Sequence, residues 1–193
     1  MIHLASNTRA RALLLVTAIG CSQAAAPDSG APDGADPSDG GSGGTDAVPR
    51  PPNGALVLNE LLAASDDSDD PDDWIELTNT GSETVALAGW ALTDLDPTTH
   101  DDDPWRFPAE AVVAPGTYII VWASDPDDPA PDAADFKLSA SDGEGLWLLD
   151  PSGAVADQVT FPPLDDGQVY ARQPDGVGPW AVTDAPSRGA PNP

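Results

Sequence analysis

The sequence predicts an all-β domain, a sandwich or barrel, and three observations carry that expectation. Beyond residue 54, short runs rich in Val, Ile, Leu, Trp and Thr recur between Gly, Pro and Asp clusters, the spacing of many short strands. No stretch sustains a 3.6-residue apolar period over three turns, so no amphipathic helix is expected. Roughly 140 residues suffice to bury about 70% of their unfolded surface, so a core can form without disulfide or metal.

The strands are read in order. Leu56–Ala63 (LVLNELLA) is the first. Asp73–Asn79 (DWIELTN) alternates Ile75 and Leu77 with Glu76 and Thr78, as a strand with one buried face does. In TVALAGWALTD the apolar phase slips between Val85/Leu87 and Trp90/Leu92, which places a bulge at Gly89. In GTYIIVWAS both phases are apolar, which predicts a strand covered on both sides. WRFP, FKLS, GLWLLD, AVADQVTF and QVYARQ complete the set. Asp157 shares a phase with Val155, Val159 and Phe161 and therefore points inward. An unpaired carboxylate there is costly, so backbone N–H donors or pairing with Arg172 are expected, as a structural element.

The remainder of the chain has a different texture. Arg9 and Arg11 precede a short apolar run, Ala12–Gly20, and Cys21, the lone cysteine, follows. About nine apolar residues are too few to span a bilayer, which needs ~20; residues 1–20 read as a secretory signal peptide. AIGC resembles a bacterial lipobox, with Ala18 where Leu is usual, and the resemblance implies lipidation of Cys21. Ser22 behind it suits export to an outer membrane where a cell has two. Residues 21–54 hold little that could be buried, and disorder is expected. As a flexible coil this tether reaches ~30 Å, extended by five aspartates and six prolines between residues 22 and 53. Gly40–Gly44 satisfies G-x-S-x-G literally, but neither flank is a strand or helix, so it carries no nucleophile.

Charge and composition exclude several functions. With 33 acidic against 7 basic residues the formal net charge is −26, and phosphate backbones are repelled; no nucleic-acid partner is expected. His100, in TTHDDD, is the only imidazole left once the signal is removed. No zinc set or Cys–His pair can then be assembled. Carboxylate pairs are inevitable in so acidic a chain and prove nothing without a dry cleft, and no enzyme activity is expected. Residues 66–73 (DDSDDPDD) are the most concentrated acids. Clustered loop aspartates can supply oxygens to calcium, which makes Asp67, Asp69, Asp70, Asp72, Asp73, Asp94 and Asp96 candidate ligands. The simpler reading, which we favour, is a solvated turn leading into the second strand; no cofactor is required.

Several segments in order resemble the lamin-tail domain family. They are LVLNELLA (56–63), DDWIELTNTGSETVALAGWALTD (72–94), FPAEAVVAPGTYIIVWA (107–123), FKLS (136–139), GLWLLDPSGAVADQVTF (145–161) and YARQPDGVGPWAVTDAPSRGAPN (170–192). The most specific element is W-I-E-L-x-N, Trp74–Asn79, followed by G-W-x-L, Gly89–Leu92. The resemblance implies an immunoglobulin-like β-sandwich over residues 55–193, of bacterial lipoprotein type, whose acidic loops are longer than the family's usual turns. A membrane-anchored, non-catalytic domain for binding, adhesion or scaffolding is expected, in the cell envelope, with an unidentified protein or glycan partner. Two alternatives are carried: a carbohydrate-binding module with Trp90, Trp105 or Trp180 exposed for stacking, and an accessory to a secreted nuclease.

Overall fold

A computed structural model describes residues 55–63, 73–123 and 133–193. Twelve strands are assigned among them: β1 (Leu56–Leu62), β2 (Asp73–Asn79), β3 (Val85–Ala86), β4 (Ala91–Thr93), β5 (Trp105–Arg106), β6 (Val112–Val113), β7 (Tyr118–Ala123), β8 (Ala133–Ala134), β9 (Gly145–Leu149), β10 (Val155–Thr160), β11 (Val169–Arg172) and β12 (Trp180–Thr183). There is no helix among the described residues. The larger sheet runs β12-β11-β1-β2-β7-β8, the smaller β10-β9-β4-β5, and β3 pairs with β6 separately. Every pairing is antiparallel except β7 with β8.

The core is what two inner faces of period 2 bring together. The larger sheet supplies Leu58, Leu61, Ile75, Leu77, Ile119 and Val121, the smaller one Leu92, Leu146, Leu148 and Val159, and Phe161 joins them. Each fully buried Leu or Ile contributes about 1.5–3 kcal/mol. Asn79, the last residue of W-I-E-L-x-N, is buried because its amide donates to Glu83 O and Val113 O while its Oδ1 accepts from Gly81 N–H. It fastens the turn after β2 to β6.

Four sequence expectations are corrected. Gly89 is not at a bulge: with φ at 84° it sits in the turn closed by Trp90 N–H to Leu87 O, between strands of different sheets. The bulges fall instead at Leu58/Glu60 and Val155/Asp157. The second of these turns Val155 outward, 41% exposed, while Asp157 stays inward. FKLS forms no strand; β8 lies just before it. Finally β2 has two buried faces rather than one, every residue from Asp73 to Asn79 being covered.

Gly143 is fixed by a close approach. Its φ is 67°, and a Cβ there would collide with Phe161 O and lie 2.7 Å from the Pro162 carbonyl carbon. Gly143→Ala therefore forces a left-handed conformation and a main-chain clash together, and thermal denaturation should show a loss of about 2–4 kcal/mol.

Candidate functional site

The outer face of the larger sheet holds an unusual set of buried polar groups. The bulge at Leu58/Glu60 sets two neighbouring residues of β1, Asn59 and Glu60, on one face, which regular alternation would forbid. Glu76 of β2 pairs with Glu60 in register, and Tyr118 of β7 lies on the same face. Asn59 and Glu76 are both 0% exposed and Glu60 1%. The cover is the 174–178 turn and the 184–193 segment.

Asn59 is the hub. Its amide donates to Glu76 Oε1 at 2.7 Å and Asp175 Oδ1 at 2.8 Å, and its Oδ1 accepts from Gly176 N–H at 2.7 Å. Tyr118 Oη donates to Asp175 Oδ2. Ser187 donates from N–H and hydroxyl to Glu60, Gly189 N–H donates to Glu76 Oε2 at 2.6 Å, and Asn192 Nδ2 donates to Asn59 O and Arg172 O.

Electrostatics follow from this burial. Loss of water pushes Glu76 up to about 8, against the donors Asn59 and Gly189 and with help from the charges of Glu60 and Asp175. Burial likewise pushes Glu60 up, opposed by the Ser187 donors. The Tyr118 hydroxyl is pushed up by burial and by its bond to Asp175. Glu76 is thus a proton holder near neutrality. With the 184–193 segment in place it has no exposed surface, so its chemistry is that of a lock.

A second polar constellation lies between the sheets. Arg172 Nη2 donates to both carboxylate oxygens of Asp157, each at 3.1 Å, and their side chains are 14% and 2% exposed. Arg172 Nε donates to Leu58 O at 2.8 Å, and Leu58 N–H donates to Asp157 Oδ2 at 2.9 Å. Pairing of β1 with β11 is confined to Glu60–Leu62, so the ion pair satisfies the main chain of Leu58 where the ladder stops. Burial pushes the Asp157 carboxyl up, and the Arg172 charge and two N–H donors oppose it.

The other sequence candidates are dispersed. Cys21, Asp67, Asp69, Asp70 and Asp72 lie outside the described residues, as does the Gly40–Gly44 string. Asp73 begins β2 and accepts from Leu138 N–H at 3.0 Å. Asp94 is pushed up by burial and by the nearby Asp135 charge. Asp96 is held below its ordinary value by the hydroxyl and N–H of Thr98, in an exposed turn where His100 Nδ1 lies 3.0 Å from Thr99 Oγ1. Among the described residues no three His, Cys, Asp or Glu side chains converge in a metal-binding geometry. Trp90, Trp105 and Trp180 pack half-buried against the core. Trp105 meets Phe107 edge-on at 4.9 Å, and Trp180 stacks on Tyr170 at 5.3 Å with the Arg172 guanidinium over it.

Asn59, Glu60, Glu76 and Asp175 did not stand out in the sequence as a site. The available signal is the adjacent polar pair Asn59-Glu60 inside an otherwise apolar LVLNELL strand, since two neighbouring polar residues can share one face only across a bulge.

Two facing sheets around an apolar core, without helix among the described residues, define an immunoglobulin-like β-sandwich. Residues 49–163 match the family model described as Lamin Tail Domain, and the chain belongs to the lamin-tail domain family. Comparison with curated proteins gives no match. The larger sheet continues beyond the matched residues, because β11 and β12 are part of it and residues 184–193 cover its outer face.

Proposed function

We propose that the protein is a membrane-anchored envelope lipoprotein that displays its lamin-tail β-sandwich as a non-catalytic module for binding, adhesion or scaffolding. The observation that carries this is the order of parts in the chain: basic residues, a short apolar run, Cys21, a Pro/Gly/Asp-rich tether, then a domain of this family. A diacylated Cys21 fixes one end at a membrane surface, and the tether sets the domain ~30 Å away.

Support for a non-catalytic role comes from how the sandwich employs its buried acids. Glu60, Glu76 and Asp157 each accept main-chain N–H groups and so hold the architecture together. On this reading the domain folds without a cofactor, and its acidity keeps it from nucleic acid. The partner is a protein or glycan of the envelope.

Metabolic labelling with an alkyne fatty acid tests the anchor. The wild-type chain is expected to take up label and to fractionate with membranes, and Cys21→Ala is expected to lose both. Equal labelling of the two would overturn the reading. Crosslinking on intact cells, followed by mass spectrometry, then identifies what is attached to residues 55–193.

A further inference from the structure

The 184–193 segment is held to the sheet by neutral donors aimed at carboxyls from three separate elements. Ser187 N–H and Oγ–H reach Glu60 of β1 at 3.1 and 2.9 Å. Gly189 N–H reaches Glu76 of β2 at 2.6 Å. Asn192 N–H reaches Asp175 of the 174–178 turn at 3.2 Å. The other titratable or charged groups facing this site are Tyr118 of β7, which donates to Asp175, and Arg188 of the segment itself. Arg172 presents only its carbonyl oxygen, to Asn192, and turns its guanidinium toward Asp157.

The segment also covers apolar surface. Leu62, Trp74, Ile120 and Val169 form a separate cluster on this face, with Trp122 half-buried against it. Arg188 lies across it, its guanidinium 4.9 Å from the Trp122 ring and 5.9 Å from that of Trp74. Detaching residues 187–192 would bare both the indoles and the acids.

Carboxylates crowded in a dry site repel, and one bound proton relieves them. Once the segment lifts, water returns and the acids ionise near their ordinary values, so the closed form binds more protons than the open one. Raising the pH therefore favours opening. We propose that residues 184–193 are a releasable strap, closed while a proton is held between Glu60 and Glu76 and freed when it is lost, so that alkaline conditions uncover the Trp74–Trp122 face.

Hydrogen exchange on the full chain, read by mass spectrometry and corrected for base catalysis of the intrinsic rate, tests this. Protection of 184–193 is expected to fall by up to about tenfold per pH unit between pH 5 and 8 and to level above, while β2 and β7 keep theirs. Glu76→Gln should flatten that profile. Should this variant fail to fold, Asp175→Asn serves instead, moving the levelling point below pH 8 by removing a repelling charge. Protection of the strap that is constant with pH, that falls only in step with β2 and β7, or that keeps its wild-type profile in the variant used, overturns the proposal.

Discussion

Asp157→Ala is expected to destabilise the domain by about 3–5 kcal/mol, because it strands the Arg172 guanidinium inside the sandwich and leaves Leu58 N–H without its acceptor. Arg172→Met should cost a comparable amount: it leaves the carboxylate buried alone and removes the Nε donor to Leu58 O, found at 2.8 Å. Both changes break one unit, so the double variant should lose clearly less than the two losses added together. Asp157→Asn separates the parts. Its side-chain oxygen can still accept from Leu58 N–H, so it should lie between wild type and Asp157→Ala. Urea denaturation of the four variants checks this. A neutral Asp157→Ala, or losses that simply add, would mean that the pair does not close the β1 edge.

The inner face of this domain was legible in the sequence and the outer face was not, for a physical reason. Ile75/Leu77 and Val159/Phe161 declare an inward phase because an apolar side chain leaves water wherever it can. Asp157, held in that phase, could then be matched to a cation. Glu76 and Thr78 follow the pattern of a solvated face equally well, and only the 174–178 turn and the strap hide them. What buries Glu76 lies 113 residues further along, at Gly189, and no periodicity within a strand reports a cover so distant. Bulges were the second blind spot. The shift at Val155/Asp157 turns Val155 out, and the shift at Leu58/Glu60 puts Asn59 and Glu60 on one face; both depend on the partner strand's register. The tryptophans show the same limit. Trp105 of β5 meets Phe107 and Trp180 of β12 stacks on Tyr170, and the second of these contacts crosses between strands, where no periodicity within one strand reports it.

Asn59 should prove the most sensitive residue of the outer face, since it is the donor that keeps Glu76 and Asp175 apart. Asn59→Ala removes both amide donations and the acceptor for Gly176 N–H, and a loss of about 3–6 kcal/mol is expected from the buried Glu76 and Gly176 and the half-buried Asp175 losing partners. Asn59→Asp is nearly isosteric but sets a third acceptor between two carboxyls. It can be accommodated only by taking up a proton, which raises the folded-state pKa of the new carboxyl above its unfolded value of about 3.9. Stability that depends on such a raised pKa is present at low pH and lost as pH rises, in the same direction as the contribution of Glu76, pushed up to about 8. Urea midpoints should therefore place Asn59→Asp closest to wild type near pH 5 and below Asn59→Ala near pH 8. That inversion separates charge crowding from packing, because a variant harmed only by a lost shape would keep its rank at both pH values. An Asn59→Asp protein as stable as wild type at pH 8 would mean that the carboxyls do not crowd this amide.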